Sequence, residues 1–339
     1  LHTKNYFGYS DTGNDNSGQA PRDMGITVSP TDADEVHIAG IHTWRSTDGG
    51  SNFNITSYWT PGGASSRGIG YCHADVDDIE YIGGTFYAVT DGGIFICENT
   101  ANVNTSYYTD ITTGMGVRQF YLLGISQTDP VVISAGAQDN GTSAYQSTGQ
   151  WVDWLGADGF ESIVDVNDSN TLYGTIYYGD MYKSTNQGNS ASGLSKPDNG
   201  NWVTPLEQDS NGVLYFGGSR AYKSTNGGSS WSSISQEFGD ELDQLKIAPS
   251  NHNVMYASRA GILYKTTTGS GTWSTLSGYA GDINSIAIHP TDPDKVAIAT
   301  TSSNQVYLST NGGSTWSVYN SGLPNFSAYA LVWDNNGRD

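Results

Sequence analysis

The sequence is poor in basic residues and in cysteine, and it contains no long apolar segment. Among its 339 residues, 14 are Lys or Arg and 34 are Asp or Glu, which gives a formal net charge of −20. Nucleic acids and anionic membrane surfaces are bound through clustered Lys and Arg, so this balance argues against both kinds of partner. No apolar run approaches the roughly 18 residues that a membrane-spanning helix needs. Two cysteines, Cys72 and Cys97, are too few for a disulfide framework.

Familiar catalytic signatures and helical periodicity are also missing. The sequence contains no P-loop, no dinucleotide-binding glycine motif and no nucleophile-elbow serine motif. The chain starts at Leu1 without an initiator Met or a basic leader region, so we expect either a removed leader or a longer parent chain. Disorder is a poor interpretation, because 9 Trp, 22 Tyr and 9 Phe can build a large core.

A short string of residues recurs along the chain. STNGGSSW ends at Trp231, TTTGSGTW ends at Trp273 and STNGGSTW ends at Trp316. STDGGSNF, which ends at Phe53, and a broken copy that begins at Ser184 belong to the same series, and TDGGIF and QDNGTS fall on the same spacing. Taking one marker per unit gives steps of 40 to 48 residues between Asp48, Asp91, Asp139, Asn186, Asn226, Thr268 and Asn311.

Between these strings, apolar and polar residues alternate with a period of two. Val254 to Ser258 and Ile262 to Thr266 are examples, and clusters of Gly, Asn, Asp and Pro separate the runs. Four short strands in about 45 residues are typical of one blade of a β-propeller. We therefore predict an all-β protein that forms a seven-bladed β-propeller over residues 1–339 as a single domain.

The two ends of the chain are predicted to close the ring. A strand-like run from Phe326 to Trp333 follows the last string, and Lys4 to Tyr9 is a second candidate strand within the N-terminal segment 1–23. An open ring would leave unpaired strand edges, so we favour closure by these two segments. A truncated further blade of a longer chain is the alternative.

The repeated string has a mechanical explanation. A Ser followed two residues later by Asp or Asn supplies acceptors for backbone N–H groups in a tight turn, and the Gly residues supply positive φ. The final aromatic residue then packs beneath its own loop, with its indole N–H near a carbonyl group. We assign a structural role, bracing the turn between the third and fourth strands, to Ser46, Asp48, Ser224, Asn226, Trp231, Trp273, Ser309, Asn311 and Trp316.

These strings resemble the Asp-box, or BNR, repeats of sialidases, xyloglucanases and sortilins. The order HADVDDI, TDGGIF, RQFY, AGAQDNGT and W-x4-GADG also resembles secreted bacterial BNR proteins described as glycosyl hydrolase-like. This resemblance implies a propeller fold and a bacterial, secreted or cell-surface location. It bears less on catalysis, because one fold hosts many functions.

In propellers of this layout, the loops from strand two to strand three share a face with the loops that lead from strand four into the next blade. On this sequence that face collects acids, amides, aromatic rings and arginines, which suit a hydroxyl-rich ligand. QDNG and GADG are equally good turn sequences, and lone histidines are common in cores. The candidate binding residues are His42, His73, Asp91, Arg118, Gln138, Asn140, Phe160, Tyr178, Arg220 and Arg259.

Two acids of this face, Asp139 and Asp158, form the candidate catalytic pair for glycoside hydrolysis, which needs carboxyl groups about 5–9.5 Å apart. The sialidase resemblance implies a different set: Arg118, Arg220 and Arg259 for a substrate carboxylate, with Tyr178, Glu161 and Asp158 as the reacting groups.

No organic cofactor is expected, and calcium is the one metal that the sequence suggests. Asp11, Asn14 and Asp15 place oxygen donors at short intervals, as calcium prefers, and Asp334 to Asp339 repeat the pattern. Solvated turns are the alternative for both segments.

The leading hypothesis is a secreted or surface module that binds a polysaccharide, a glycoprotein or another domain through its loop-rich face, with little or no catalysis. A glycoside hydrolase that uses carboxylates of that face is one alternative. A spacer in a large adhesin or fibre is the other.

Overall fold

The computed structural model describes residues 2–116, 118–302 and 305–334, and nearly all of its regular structure is antiparallel β-sheet. The described residues form seven four-stranded sheets, in each of which sequence neighbours pair, and one two-stranded sheet. The prediction of an all-β chain built from four-stranded units is therefore confirmed. The described helices are one α-helix of seven residues and one 3-10 turn, and neither could cross a membrane.

The chain divides into two compact units, of which the first covers residues 1–118. Its first sheet consists of β1 (Gly25–Val28), β2 (Val36–Ala39), β3 (Thr43–Ser46) and β4 (Asn54–Ile55). A parallel pair, β5 (Ser57–Tyr58) and β6 (Gly70–Tyr71), brackets helix α1 (Pro61–Arg67). The second sheet consists of β7 (Val76–Ile82), β8 (Thr85–Thr90), β9 (Gly93–Cys97) and β10 (Thr109–Asp110). The first strands β1 and β7 contact each other, and Cys72 and Cys97 lie in the apolar core beside them as free thiols.

Helix α1 is not among the predicted elements, although its caps are visible in the sequence. Gly63 N–H donates to the Thr60 hydroxyl at 3.2 Å, and Pro61 follows the cap directly. Gly68, with a φ of 67°, ends the helix in the left-handed conformation. Seven residues that bury only Ala64 are too few to produce a helical periodicity.

The second unit covers residues 119–339 and contains the other five four-stranded sheets. The third sheet consists of β11 (Leu122–Ile125), β12 (Ile133–Ala137), β13 (Gly141–Tyr145) and β14 (Trp151–Leu155). The fourth consists of β15 (Ser162–Val164), β16 (Leu172–Thr175), β17 (Met181–Ser184) and β18 (Ser192–Leu194), with the 3-10 turn Tyr177–Gly179 between β16 and β17. The fifth consists of β19 (Leu206–Gln208), β20 (Leu214–Gly217), β21 (Ala221–Ser224) and β22 (Ser232–Ser233). The sixth consists of β23 (Gln244–Ile247), β24 (Met255–Arg259), β25 (Ile262–Thr266) and β26 (Ser274–Leu276). The seventh consists of β27 (Ile283–Ile288), β28 (Val296–Thr300), β29 (Val306–Ser309) and β30 (Ser317–Val318).

Within the second unit, the first strands of consecutive sheets lie next to one another. β11 contacts β15, β15 contacts β19, β19 contacts β23, and β23 contacts β27. The core lies between neighbouring sheets: fully buried Tyr215 of the fifth sheet shares one apolar cluster with Leu245 and Met255 of the sixth. The inner sheets of this unit are therefore buried on both faces, and neighbours in sequence are also neighbours in space.

Residues 326–334 run along β27 without forming a strand. Asn284 Nδ2 donates to Ala328 O at 2.9 Å, and Trp333 Nε1 donates to Ala287 O at 3.0 Å. The segment therefore lies beside β27, where the first strand of a further sheet would lie. The run predicted as a strand is in this position, but it makes side-chain bonds to β27 rather than a backbone ladder.

The candidate strand from Lys4 to Tyr9 is wrong, because these residues form turns and irregular chain. Tyr6 is almost fully buried, and its ring lies 5.1 Å from the rings of both Trp44 and Phe53. The aromatic residues of this segment therefore serve to pack it onto the first sheet, which leaves its backbone unpaired with any strand.

The repeated strings form the turns between third and fourth strands, as predicted. In the fifth sheet, Gly228 N–H and Asn226 N–H donate to Ser224 Oγ at 2.9 and 3.4 Å, and the Ser224 hydroxyl donates to Asn226 Oδ1 at 2.9 Å. Ser230 N–H also donates to Asn226 Oδ1, at 2.9 Å. The same bonds recur in the strings that begin at Ser46, Ser184 and Ser309.

Two of the seven sequence markers lie in a different turn. Asp91 connects β8 to β9, and Asp139 connects β12 to β13, so both stand between second and third strands. These turns also need positive φ, which Gly93 adopts at 132° and Asp139 at 61°. Both kinds of turn select the same residue types. The position of Asp91 and Asp139 agrees with their predicted assignment to loops from strand two to strand three.

The aromatic residues that end the strings pack against neighbouring sheets as well as against their own loops. Trp231 packs on a cluster formed by the fourth and fifth sheets, and Trp316 on one formed by the sixth and seventh. Trp273 Nε1 donates to Ile234 O at 3.2 Å, as predicted for these indoles. Among the described residues, the indole N–H groups of Trp231 and Trp316 find no acceptor, so that part of the prediction is confirmed for Trp273 only.

In the string of the fourth sheet, Ala191 stands in place of the final aromatic residue. Trp154 from β14 of the third sheet packs against this string instead. Trp154 is 8% exposed, and a Cβ on Gly188 would lie 3.0 Å from its Cβ. Trp154 Nε1 also donates to Ser134 Oγ at 3.1 Å. Leucines hold the equivalent place elsewhere, with Leu194 facing Gly228 and Leu276 facing Gly313.

Candidate ligand-binding site

In the second unit, loops from second to third strands lie beside loops that lead into the next sheet, as predicted. Gly141 N–H donates to Ala157 O at 2.8 Å, and Ile283 N–H donates to Ala260 O at 3.0 Å. We call this end of the unit the loop face; its loops are 138–140, 156–161, 176–180, 195–205, 218–220, 234–243, 260–261 and 277–282. An open pocket of about 430 Å³ lies in it. Its polar and aromatic lining residues are Asn201, Trp202, Asp243, Gln244, Asp282 and Asn284.

Trp202 is the aromatic residue of the pocket. Its side chain is 38% exposed and stacks on Tyr177, with ring centroids 5.6 Å apart and 16° between the planes. The edges of Phe160, which is fully buried, and of Tyr178 meet it at 5.6 and 5.3 Å. Sequence reasoning selected Phe160 and Tyr178 but missed Trp202 and Tyr177, which belong to no repeated string. Together these rings fix an exposed indole that can stack on a planar apolar surface.

Tyr178 holds an uncommon backbone conformation beside this indole. Its φ of 57° and ψ of 23° are left-handed, a conformation that costs a non-glycine residue about 1 kcal/mol or more. Tyr178 N–H donates to Trp202 O at 3.4 Å, and Tyr178 O accepts from Gly200 N–H at 3.2 Å and Lys196 Nζ at 2.9 Å. These bonds hold the strained turn and present a ring that is 51% exposed.

Asp243 fixes the loops that form the pocket walls. Asn201 Nδ2 donates to Asp243 Oδ1 at 2.6 Å, and Ala260 N–H donates to Asp243 Oδ2 at 2.5 Å. Trp202 N–H in turn donates to Asn201 Oδ1 at 2.7 Å. Asp243 therefore positions the indole through Asn201, and both of its oxygens are already engaged.

Asp282 is the carboxylate of the pocket that stays available. Its backbone is held by a bond from its N–H to Thr301 Oγ1 at 2.9 Å, and its side chain is exposed. In residues 2–116, 118–302 and 305–334, no group donates a hydrogen bond to its carboxylate. Asp282 can accept from a ligand hydroxyl without breaking an internal bond.

The candidate catalytic residues Asp139 and Asp158 lie in neighbouring loops, one between β12 and β13 and the other between β14 and β15. Asp139 N–H donates to Asp158 Oδ1 at 2.8 Å, so one oxygen of Asp158 caps the turn of its neighbour. Gln138 accepts from the Tyr121 hydroxyl at 3.2 Å, and Asn140 Nδ2 donates to Gln138 O at 3.3 Å. These bonds support the turn interpretation of this loop pair, and its catalytic role stays a prediction.

Arg220 and Arg259 each have an acidic partner at the surface. Arg220 Nη2 lies 3.2 Å from Glu237 Oε2, and Arg259 Nη2 lies 3.1 Å from Asp240 Oδ2. Both acids belong to loop 234–243, so the two guanidinium groups brace that loop from separate positions. Arg118 is exposed at the end of the first unit.

In the first unit, His42 lies in an aromatic stack. It is fully buried, with its ring 4.8 Å from Trp59 and 5.2 Å from Tyr58, and burial lowers its pKa. The structure thus supports a core role for His42. His73 and Asp91 are half-buried; His73 Nδ1 lies 3.1 Å from Ala74 O, and the Asp91 carboxylate accepts from a nearby arginine at 3.4 Å.

Among the N-terminal calcium candidates, Asp15 and Asn14 bond within their own segment, whereas Asp11 pairs with Arg67 of helix α1. Asp15 Oδ2 accepts from Tyr9 N–H at 2.8 Å, and Asp11 Oδ2 lies 2.7 Å from Arg67 Nε. Asn14 Nδ2 donates to a threonine hydroxyl two residues earlier, at 3.0 Å. The second predicted calcium segment runs from Asp334 to Asp339, and only Asp334 of it is among the described residues.

A charged cluster lies on the first strands of the second unit. Lys246 on β23 forms an ion pair with Glu207 on β19. Burial raises the pKa of Glu161, just before β15, well above its usual range, and the nearby Lys246 charge offsets this only in part. Glu161 is not among the lining residues of the pocket.

Comparisons with known proteins give distant structural likenesses. No family model and no curated protein sequence matches the chain. An ancestral GH74 enzyme is 19% identical over 57% of this chain, with a TM-score of 0.47, and the match spans 30% of that enzyme. YCF48 from Cyanidioschyzon merolae is 11% identical over 91% of this chain and 88% of its own, with a TM-score of 0.39. A GH74 enzyme of Niastella koreensis is 12% identical over 87% of this chain and 62% of its own, with a TM-score of 0.31. Since these three scores are below 0.5, function has to be inferred from the geometry of this chain.

Proposed function

We propose that this chain is a carbohydrate-binding module of a secreted or cell-surface protein, and that it binds through the loop face of its second unit. The observation that carries the proposal is Trp202, an exposed indole held by three other rings at the side of an open polar pocket. Sugar rings present apolar faces that stack on indoles, while their hydroxyls pair with amides and carboxylates. Gln244, Asp282 and Asn284 supply such groups within the same pocket.

The charge of the site favours a neutral glycan. Among the described lining residues none is basic, and Asp243 and Asp282 add two carboxylates. The whole chain carries a formal charge of −20, so a sulfated or sialylated glycan would meet like charge. Neutral polysaccharide is therefore the expected ligand class.

The proposal includes the seven-bladed propeller. Seven four-stranded meanders, with first strands side by side within each unit, support it. Along the C-terminal segment, Tyr329 and Val332 are 78% and 92% exposed, and Ile26 on β1 is 71% exposed. If the C-terminal segment and β1 closed a ring, these exposed apolar side chains would be buried, which is favourable.

The test is binding to a printed array of neutral, sulfated and sialylated glycans, followed by calorimetry on the best ligand. We expect Trp202→Ala to weaken binding at least about tenfold, as removal of a central aromatic contact commonly does. The matched control is Trp151→Ala, since Trp151 is 52% exposed in the same unit but lies outside the pocket. Equal loss in both variants, or binding restricted to sulfated glycans, would contradict the proposal. No binding to any glycan would favour a protein partner or a spacer.

A glycoside hydrolase is the second candidate function, because Asp243 and Asp282 line one pocket. Release of reducing sugar by the parent chain that disappears in Asp282→Asn would establish hydrolysis. Because both oxygens of Asp243 are held by internal bonds, we expect binding without release.

A further inference from the structure

Three polar side chains from two turns of the second unit form a row of close contacts that ends in an exposed serine. Asp209 and Ser210 lie in the turn between β19 and β20, and His252 lies in the turn between β23 and β24. The Ser210 hydroxyl lies 3.1 Å from His252 Nε2, and His252 Nδ1 lies 3.1 Å from Asp209 Oδ2. Both turns join a first strand to a second strand, so they lie at the end of their sheets opposite the loop face. The row is therefore separate from the pocket beside Trp202.

The Asp209 carboxylate is buried and held in a fixed position. Its side chain is 2% exposed. Oδ1 accepts from Asn211 N–H at 2.9 Å and from Val213 N–H at 3.1 Å, and Oδ2 accepts from the buried Tyr215 hydroxyl at 2.9 Å. A carboxylate fixed beside an imidazole stabilises the positive charge that the ring acquires when it takes up a proton.

The position of the imidazole proton decides what His252 can do. Its Nδ1 faces the Asp209 carboxylate, and the Asn211 side-chain amide also lies 3.2 Å from that nitrogen. A hydrogen bond to a charged carboxylate is about twice as strong as one between neutral groups, so the proton belongs on Nδ1. The amide can then turn its oxygen toward Nδ1, because rotation exchanges its two ends. Nε2 keeps a lone pair that accepts from Ser210, as the nitrogen of a general base does.

We propose that Ser210 is a nucleophile with His252 as its general base and Asp209 as the positioning residue of that base, and that this site hydrolyses small acyl esters. Ser210 Oγ attacks the ester carbonyl carbon while its proton passes to His252 Nε2. The bond from that carbon to the alcohol oxygen then breaks, and the proton on Nε2 passes to the departing alcohol. Water, which gives a proton to the same nitrogen, then displaces the acid from Ser210 and restores the hydroxyl.

The surroundings of Ser210 favour an ester with a small acyl group. Ser210 is exposed, so an acyl group can reach its hydroxyl from solvent. Among the described residues, no group accepts from Ser210 N–H, which leaves this donor for the oxyanion of the intermediate. Serine proteases use two backbone N–H groups for that purpose. Esters, whose alcohol departs more readily than an amine, are therefore the expected substrates.

Labelling of the full chain with a fluorophosphonate, which reacts with base-activated serines, tests the proposal when the labelled peptide is identified by mass spectrometry. We expect the label on Ser210 and hydrolysis of p-nitrophenyl acetate by the parent chain. Ser210→Ala and His252→Gln should each slow hydrolysis at least about tenfold, since a general base commonly contributes a hundredfold or more. Two matched controls should leave the rate unchanged: Ser250→Ala, an exposed serine of the turn that contains His252, and His289→Gln, from the equivalent turn of the seventh sheet.

The positioning role of Asp209 has a spectroscopic signature. Nitrogen-15 shifts of the His252 ring, assigned among the six histidines by comparison with His252→Gln, report which ring nitrogen carries the proton. We expect the proton on Nδ1 in the parent, and a larger share on Nε2 with slower hydrolysis in Asp209→Asn. Circular dichroism shows whether each variant is folded. The proposal is overturned if Ser210 is not labelled, if Ser210→Ala hydrolyses the ester as fast as the parent, or if the parent carries this proton on Nε2.

Discussion

At the scale of single residues, a network of buried polar groups stabilises the first unit. Glu35 Oε1 accepts from Arg45 Nε at 2.8 Å and from the Tyr81 hydroxyl at 3.2 Å, and His37 Nε2 lies 2.9 Å away. Burial alone would raise the pKa of Glu35, but bonds from Arg45, Thr100 and His37 lower it to about 2. The ionised carboxylate is therefore the form that this network stabilises.

Glu35→Gln should lower the free energy of unfolding by roughly 3 kcal/mol at pH 7, because Arg45 and the other partners of Glu35 would then lack the negative charge they face. The folded pKa lies below the unfolded one, so the stabilisation by Glu35 is present above about pH 4.5 and disappears as pH falls toward 2. Urea unfolding at pH 7 and pH 3 measures this, with Glu80→Gln as the exposed control. The same loss at both pH values would show that charge is not the cause.

The candidate site shows which residues sequence can select. Phe160 and Tyr178 were predictable because they flank turns on the loop face, but Trp202 and Asp243 act through contacts between loops of different sheets. Asn201, which links them, belongs to no repeat and carries no local signal. Spacing along the chain identifies the face, whereas the pairing of loops across sheets decides which of its residues form a pocket.

At the scale of elements, the repeated turns were predictable because their chemistry is local. Each Ser hydroxyl bonds backbone groups within four residues, so the string itself contains every partner. The aromatic position was only partly predictable, because it packs on the preceding sheet. Where Ala191 stands in that position, Trp154 of β14 fills the space beside Gly188.

Substitutions at Trp154 and Ala191 test whether Trp154 fills the place of the missing aromatic residue. Trp154→Ala should lower the free energy of unfolding by about 3–5 kcal/mol, because it leaves a cavity beside Gly188 and removes the bond to Ser134. The double variant Trp154→Leu with Ala191→Trp restores the arrangement of the other sheets and should recover much of that loss. Chemical unfolding of the parent chain, Trp154→Ala, Trp154→Leu and the double variant measures these differences. A double variant less stable than Trp154→Leu alone would contradict equivalence of the two positions.

At the scale of the whole molecule, the number of sheets was predictable and their boundaries were less so. Seven markers gave seven four-stranded sheets, even though Asp91 and Asp139 stand in a different turn, because each sheet contributes one marker. Helix α1 and the parallel pair beside it lie between two sheets, where no repeat constrains the chain. Ring closure depends on contacts distant in sequence, and it remains a prediction.

Deletion of residues 325–339 tests closure. The deletion removes the bonds from Asn284 to Ala328 and from Trp333 to Ala287, and it uncovers the edge of β27. If the sheets form one ring, the 339-residue chain should have a radius of gyration of about 20 Å by X-ray scattering, the value for a compact domain of this length. The shortened chain should expand or self-associate through the uncovered edge. Trp333→Ala, which keeps the backbone, should lower the melting temperature without expansion. A full chain much larger than about 20 Å, or a shortened chain that scatters as a compact monomer, would show that the C-terminal segment does not close the molecule.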